Sequence, residues 1–321
     1  MTRHRIDVHH HVIPEPYRRA MAEAGVGDPI AGIDYPAWNI EDDLETMDRC
    51  GIQTALVSIT APGVGFVEGR TASRVARQVN EYLAQLTADH PDRYGAFAVL
   101  PLPDESAAIE EVRYALDVFG LDGVGLFTHY RGTYLGEHDF DRLFAMVSER
   151  GVTAFVHPTV PPGEGQPTFG LPPSLYEFPF DTTRAVANLL YSGTLDRHRN
   201  LRLVISHAGG TVPYLAKRLT HAATINQSWR GRQPADLIGS LRGLFYDTAM
   251  SANPHTLAAL VSLIDTGNIL FGTDFPFMPE STARETVTGV GEFFAGQDRS
   301  DVERNNALRL FPRLRTSGFP M

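Results

Sequence analysis

Near its start the chain reads Ile6-Asp7-Val8-His9-His10-His11, and the rest of the sequence is organised around this stretch. Apolar and polar residues alternate, and Pro14 follows closely, which predicts a buried strand that runs out into a loop. Side chains of a strand alternate between its faces, so we expect His9 and His11 on one face and His10 on the other. Two imidazoles roughly 6–7 Å apart along one face can bind a single metal ion between them.

Further apolar strands follow the first, and segments with helical spacing separate them. This alternation predicts a parallel sheet, and eight such units in one domain predict an α/β fold of the (β/α)8 TIM barrel type. We expect residues 1–321 to form a single domain, with an open doubly wound sheet as the alternative. The predicted strands are Ile6–His11, Gln53–Ile59, Tyr94–Leu102, Gly123–Thr128, Thr153–His157, Leu201–His207, Leu244–Asp247 and Asn268–Asp274.

A long insertion, Pro158–Phe180, follows the fifth predicted strand and is rich in proline, glycine and aromatic residues. A loop of this length in a compact domain is usually functional. After this insertion, we predict a helix from Asp181 to Asp196.

Polar side chains stand at the ends of several predicted strands, each after a run of apolar residues. In a (β/α)8 barrel the carboxyl ends of the strands form the face where the chemistry takes place. Convergence at that face predicts one shared metal site, built from side chains whose types suit zinc and its first-row neighbours. The candidates are His9, His11, His157, His207 and Asp274.

Composition narrows the classes of function. The formal charge of −10 and the isoelectric point near 5.6 argue against nucleic acid or an anionic membrane as partner. No apolar run approaches the ~18 residues that a membrane span needs. Cys50 is the sole cysteine, which excludes an internal disulfide and favours a reducing, cytoplasmic location.

The motifs at the strand ends resemble those of the amidohydrolase superfamily. The resemblance rests on Asp-x-His-x-His in the first strand, His157-Pro158, Ser206-His-Ala-Gly-Gly210 and Gly272-Thr-Asp-Phe-Pro-Phe277. Within the superfamily, the sequence is similar to the branch that contains aminocarboxymuconate semialdehyde decarboxylase and salicylate-type decarboxylases. The stretches Glu177–Arg184 and Asn188–Gly193 most resemble 6-methylsalicylate decarboxylases.

The resemblance implies a role for each candidate. His9, His11, His157 and Asp274 would bind one divalent ion, for which we expect zinc, with manganese as the alternative. His207 would act as acid or base beside the metal, and Asp274 would take part in proton transfer to the ring carbon. The expected activity is metal-dependent, non-oxidative decarboxylation of an ortho-hydroxybenzoate, with no organic cofactor.

One departure from this branch concerns the substrate. The muconate enzyme binds the second carboxylate of its substrate through an arginine located after the first strand. In this sequence, no arginine occurs between Arg19 and Arg49. A small aromatic acid with a single carboxylate is therefore the predicted substrate. Phe277, Tyr176 and Trp38 are the candidates for lining its pocket.

Several other polar residues are expected to have structural rather than catalytic roles. We expect Asp247 to make a structural hydrogen bond, Arg184 an ion pair, and His10 to pack away from the metal. We expect His129, His138, His198, His221 and His255 at the surface.

Two alternatives to a decarboxylase stay open. The same metal could ionise a water, which would suit a hydrolase of a lactone or amide. A non-catalytic binding barrel is the other alternative, although the complete set of ligand-type residues argues against it. The apolar loop Phe169–Phe180 and the resemblance together predict a homodimer.

Overall fold

The computed structural model describes residues 4–27, 32–163, 169–221 and 234–315 of the chain. Its strands are β1 (Arg5–His11), β2 (Ile52–Ser58), β3 (Tyr94–Ala98), β4 (Gly123–Phe127), β5 (His129–Tyr130), β6 (Thr133–Tyr134), β7 (Thr153–His157), β8 (Arg202–Ile205), β9 (Phe245–Asp247) and β10 (Ile269–Leu270). Its helices are α1 (Glu15–Glu23), α2 (Ile40–Cys50), α3 (Gly69–Asp89), α4 (Glu105–Asp117), α5 (Asp141–Glu149), α6 (Pro173–Tyr191), α7 (Thr194–Arg197), α8 (Val212–Leu219), α9 (Pro234–Arg242), α10 (Pro254–Leu263), α11 (Glu280–Phe293), α12 (Gly296–Ser300) and α13 (Asn306–Leu310).

Eight parallel strands form one sheet in the order β1-β2-β3-β4-β7-β8-β9-β10. The backbone that follows β10 closes this sheet on β1. Val8 N donates to Phe271 O at 2.9 Å, and His11 N donates to Phe275 O at 2.7 Å. Helices flank the strands in sequence, so the predicted (β/α)8 barrel is confirmed.

Apolar side chains fill the inside of the barrel beneath the loops. Phe97 and Phe155 stack with their ring centroids 5.2 Å apart, and Val8 belongs to the same buried cluster. Phe311 and Leu314, from the end of the described chain, pack against this cluster. A second, larger cluster lies between the strands and the helices. The strands are therefore covered on both faces, as their near-continuous apolar runs predict.

Capping residues fix several helix ends. The Asn39 side chain accepts a hydrogen bond from Asp42 N at 2.8 Å at the start of α2. Gly51 ends that helix in the left-handed region, at φ 66°, which glycine adopts without a steric penalty. Asp104 caps α4 in the same way, accepting from Ala107 N at 3.0 Å.

Two helices differ from the prediction, and proline explains both differences. Helix α1 occupies part of a stretch for which no helix was predicted, because Pro16 lies in its first turn, where a missing N–H costs nothing. Helix α6 begins at Pro173 rather than at Asp181, and Pro179 lies inside it. The last residues of the predicted insertion are thus helical.

Smaller differences concern lengths and one hairpin. The regular parts of β3 and β10 are shorter than predicted, and the hairpin of β5 and β6 was not predicted. The apolar spacing of the sequence also predicts a helix over Tyr214–Asn226, and α8 overlaps the first part of it. Residues 222–226 of that prediction lie outside the described part of the chain, as do residues 164–168 of the insertion. Among the described helices, none combines the length and apolar character that a membrane crossing requires.

Candidate metal centre

Four buried side chains bring their ligand atoms together at the carboxyl ends of the barrel strands. They are His9 and His11 of β1, His157 of β7 and Asp274, which follows β10, and their ligand atoms all lie within 4.8 Å of one another. Asp274 Oδ1 lies 3.1 Å from His9 Nε2 and 3.0 Å from His11 Nε2. The structure thus places together the four residues that the sequence predicted as ligands.

Each of the three rings uses its other nitrogen, Nδ1, for a contact with oxygen. His9 Nδ1 lies 2.7 Å from Asp247 Oδ2, and His157 Nδ1 lies 2.7 Å from its neighbour's carbonyl, Pro158 O. His11 Nδ1 lies 3.3 Å from Ser58 O and 3.1 Å from Ser58 Oγ. Carbonyl and carboxylate oxygens only accept, so Nδ1 of His9 and of His157 donates, and Nδ1 of His11 can donate to the Ser58 carbonyl. In the neutral form of each ring, Nε2 then keeps a lone pair.

This donor set fits a divalent cation. His9 Nε2 and His11 Nε2 lie 3.1 Å apart. Two lone pairs at that separation repel each other, and a cation between them removes the repulsion. Three neutral imidazoles with one carboxylate leave a net positive centre and suit an open, catalytic type of metal site.

The surroundings favour the metal-binding protonation states of His157 and Asp274. Burial, together with the neighbouring His11, His9 and His207, lowers the pKa of His157 well below its ordinary value. Burial raises the pKa of Asp274, but the contacts with His9, His11 and His207 outweigh it and hold that pKa well below its ordinary range. A neutral imidazole and an ionised carboxylate are the forms that bind metal. For His9, burial lowers the pKa but the contacts with Asp247 and Asp274 outweigh it and raise that pKa to about 10, so a bound cation would displace the proton of this ring.

His207 lies beside the four candidate ligands, and it contacts Asp274 through that residue's second oxygen. Its Nε2 lies 3.4 Å from Asp274 Oδ2, while its Nδ1 has no hydrogen-bond partner in the described structure. His207 and Asp274 both adopt a positive φ, at 54° and 64°. Strained backbone of this kind concentrates at functional sites, where the surrounding structure enforces it.

A cavity of about 470 Å³ opens above this cluster, with His157, His207 and Asp274 in its wall. Its volume falls within the range of small-molecule sites. Three aromatic rings shape it: Phe277 packs edge-on against His11 at 5.5 Å, Phe178 against His157 at 5.9 Å, and Tyr35 against Phe277 at 5.2 Å between centroids. Among the residues that the structure describes, the cavity wall contains neither lysine nor arginine.

The predicted pocket residues divide into two groups. Phe277 lines the cavity, as expected, whereas Trp38 and Tyr176 are not part of its wall. The Trp38 ring instead packs edge-on against Tyr82, with the centroids 6.5 Å apart. Tyr176 lies on α6 in the turn that also carries Phe178, and Phe178 reaches the cavity instead.

Tyr35 and Phe178 line the cavity but are not among the pocket residues predicted from the sequence. Tyr35 belongs to an irregular segment, where no periodicity assigns a direction to the side chain, and its hydroxyl donates to Ala61 O at 2.8 Å. Phe178 was read as part of a loop. It belongs to α6, and Pro172, Pro173 and Pro179 conceal the beginning of that helix in the sequence.

Among the other residues, His10 and Arg184 take the positions expected of them, whereas His129 and His198 do not. His10 faces away from the cluster, between Asp43 at 2.9 Å and Asp7 at 3.1 Å. Arg184 lies 3.6 Å from Glu177, as expected of an ion pair. The expectation that His129 lies at the surface is wrong: it is buried, and its Nε2 contacts the carbonyl of Val160 at 2.9 Å. His198 was also expected at the surface, but its side chain is only 14% exposed.

Comparison with known proteins adds independent findings. The family model described as amidohydrolase matches residues 6–313. The chain is 40% identical to a 6-methylsalicylic acid decarboxylase of Aspergillus aculeatus, over 97% of either chain. It is 30% identical to a gamma-resorcylate decarboxylase of a Rhizobium species, over 94% of this chain and 96% of that one. The crystal structure of a dihydroxybenzoic acid decarboxylase of a Polaromonas species, with bound manganese and 2-nitroresorcinol, matches with a TM-score of 0.79 at 21% identity, over 97% of either chain.

Proposed function

The chain belongs to the amidohydrolase family, and we propose that it is a metal-dependent, non-oxidative decarboxylase that converts 6-methylsalicylate, or a close ortho-hydroxybenzoate, into CO2 and a phenol. The main support for this proposal is the arrangement of five side chains at the cavity. His9, His11, His157 and Asp274 gather their ligand atoms on the floor of a largely apolar cavity, with His207 against the free side of the carboxylate. The 40% identity to a 6-methylsalicylic acid decarboxylase over nearly the full length supports the choice of substrate.

We propose that His9, His11, His157 and Asp274 hold one divalent ion. When bound, such an ion would supply positive charge opposite the adjacent carboxylate and phenolate oxygens of the substrate. Zinc is our first choice and manganese the second, because three imidazoles and one carboxylate suit both. No organic cofactor enters the proposed chemistry.

The proton needed for the reaction passes through His207 and Asp274. Decarboxylation replaces the carboxylate on a ring carbon by hydrogen, so one proton must reach that carbon before CO2 leaves and aromaticity returns. Asp274 Oδ2 lies 3.4 Å from His207 Nε2, which allows a proton to move between the imidazole and the carboxylate. Both side chains line the cavity, so the ring can approach them.

The cavity wall supports an aromatic acid with a single carboxylate. A second carboxylate would lose its hydration without meeting a cation, because the described wall has no lysine or arginine. Phe277, Phe178 and Tyr35 offer flat apolar surface, where a ring methyl group would gain roughly 1 kcal/mol by burial.

The proposal includes a homodimer located in the cytoplasm. Large apolar side chains stand exposed near the start of α6, among them Phe169, Leu171 and Leu175. Exposed apolar groups of this size favour a covered surface. Cys50 is buried and unpaired, in keeping with a reducing compartment.

The decisive experiment follows the products. Purified protein loaded with zinc or with manganese is incubated with 6-methylsalicylate, without oxygen or nicotinamide, and CO2 and 3-methylphenol are measured. We expect equal amounts of both products. Failure to release CO2 from any ortho-hydroxybenzoate, with release of an acid from a lactone or amide instead, would reject the proposal in favour of a hydrolase.

A further inference from the structure

Asp247 lies at the end of β9 with no exposed surface, and both of its carboxylate oxygens are engaged. Oδ2 lies 2.7 Å from His9 Nδ1. Oδ1 accepts two backbone hydrogen bonds, from His207 N at 2.8 Å and from Ala249 N at 3.0 Å. One side chain therefore contacts a proposed metal ligand and the backbone of the proposed acid.

The contact with His9 determines which ring nitrogen faces the metal centre. A carboxylate oxygen that contacts an imidazole nitrogen accepts its hydrogen bond, so His9 Nδ1 carries a proton. In the neutral, metal-binding form of the ring, Nε2 then presents its lone pair to the other ligands. The outer nitrogen of His157 contacts a backbone carbonyl, and that of His11 contacts the carbonyl and the hydroxyl of Ser58. Within the described chain, Asp247 is thus the side-chain carboxylate that sets the tautomer of a proposed ligand.

The contact with His207 holds a strained backbone. His207 and Ala208 have φ values of 54°, a region that residues with a side chain seldom adopt. The hydrogen bond from His207 N to Asp247 Oδ1 fixes the start of this turn. It thereby helps to aim the His207 ring at Asp274.

We propose that Asp247 is a positioning residue that couples metal affinity to the placement of His207. The inference rests on the proposed metal site and concerns how that site is held. It predicts that the two functions of Asp247 can be separated by choosing the substitution.

The first variant is Asp247→Asn. Its Oδ1 still accepts from the backbone of His207, but its Nδ2 donates towards His9 Nδ1. His9 must then take the other tautomer, whose protonated Nε2 cannot bind metal. We expect the Kd for zinc and for manganese to rise about 10–100-fold, the usual effect of losing a partner of a ligating histidine. Excess metal should restore most of the kcat.

The second variant is Asp247→Ala, which removes both contacts. We expect the same loss of metal affinity together with a low kcat that excess metal does not restore, because the turn of His207 has lost its acceptor. The contrast between the two variants is a readout that general destabilisation would not produce.

Asp43→Asn is the matched control. Asp43 is also a buried carboxylate bound to an imidazole, at 2.9 Å from His10 Nε2, but His10 faces away from the metal centre. The same chemical change should lower thermal stability and leave the Kd for metal as in the wild type.

Metal titration by calorimetry gives the Kd values without any assay of activity. Equal metal affinity in the wild type and Asp247→Asn, or an equal loss in Asp43→Asn, would overturn the role of Asp247 while leaving the decarboxylase proposal intact. Absence of metal binding by the wild type would overturn both.

A measurement on the wild type avoids any dependence on the folding of a variant. Nitrogen NMR of zinc-loaded protein with ¹⁵N-labelled histidine should show a proton on Nδ1 of His9 and none on Nε2. A proton on Nε2 would overturn the inference.

Discussion

His9 Nε2 and His11 Nε2 lie 3.1 Å apart, with the carboxylate of Asp274 in contact with both. When both rings are neutral and donate through Nδ1, neither Nε2 has a proton to give, so the pair forms no ordinary hydrogen bond. The geometry is that of two ligands directed at one cation.

Metal content is the first prediction. Protein purified without added metal should contain close to one equivalent of a divalent transition metal per chain, because four ligand atoms converge on one point. Removing the metal with a chelator should abolish decarboxylation and lower the Tm, since an ion bound only to the folded state stabilises it. Elemental analysis and thermal unfolding measure both effects. Full activity in a preparation free of transition metal would contradict the prediction.

Replacing His207 should separate catalysis from metal binding. His207→Ala is expected to keep its metal and to lose about 10²–10⁴ in kcat, the usual contribution of a positioned proton-transfer group. Elemental analysis and steady-state kinetics test the two halves. His138→Ala is the control, because that ring is almost fully exposed. Loss of the metal in His207→Ala would make His207 a ligand instead.

Substrate preference is the third prediction. We expect kcat/KM to be higher for 6-methylsalicylate than for isophthalate-type diacids, because the described cavity wall offers aromatic surface and no cation. Burial of the methyl group should improve binding about fivefold over salicylate. The ortho hydroxyl should be required, so 3-hydroxybenzoate should be inert. A preference for diacids would mean that a cation from elsewhere reaches the cavity.

Low pH should reduce the stability of the fold by protonating Glu303, which lies at the end of the barrel opposite the candidate metal centre. Its carboxylate contacts His4 at 2.7 Å, Arg5 at 2.9 Å and Arg299 at 3.1 Å. Burial raises the pKa of Glu303, but the contacts with His4 and Arg5 outweigh it and leave that pKa below its ordinary value. The contribution of Glu303 to stability is therefore complete above the unfolded-state pKa of about 4.3 and is lost as the pH falls through the folded-state value.

Glu303→Gln should accordingly lower the free energy of unfolding at pH 7 by about 3 kcal/mol, since it leaves Arg5 buried without its counter-charge. The difference from the wild type should shrink in acid. Urea denaturation across a pH series measures both quantities. Glu15→Gln, in an exposed pair with Arg19, is the control and should show no such change. A pH-independent difference would refute the assignment.

Association is the fifth prediction. Light scattering should give about twice the chain mass of 35.3 kDa, because exposed Phe169, Leu171 and Leu175 favour a covered surface. Leu175→Asp should weaken the dimer if this surface forms the contact. A monomer at all micromolar concentrations would disprove the dimer.

The proposed metal ligands were predictable from the sequence because barrel geometry orders them. Parallel strands present their carboxyl ends at one face, so a histidine or aspartate at each strand end is brought to the same place. His157 and Asp274 could be assigned in this way without any knowledge of loop conformation.

Residues in irregular segments could not be assigned in the same way. Tyr35 lies in a segment without regular secondary structure, so no periodicity in the sequence predicts that its side chain faces the cavity. Phe178 lies in a helix, but the prolines around it are residues that usually end helices. Asp247 was expected to make a structural hydrogen bond, which it does, but its two partners are set by tertiary contacts. A sequence pattern carries no information about such partners.

The closure of the barrel between β1 and the residues after β10 has a consequence for biosynthesis. His9 and Asp274 are 265 positions apart in the chain. A nascent polypeptide that has emerged only as far as β9 possesses the histidines but lacks the Asp274 carboxylate and the backbone partners of β1 that follow β10. The complete metal centre therefore forms late in translation, after nearly every other barrel strand has left the ribosome.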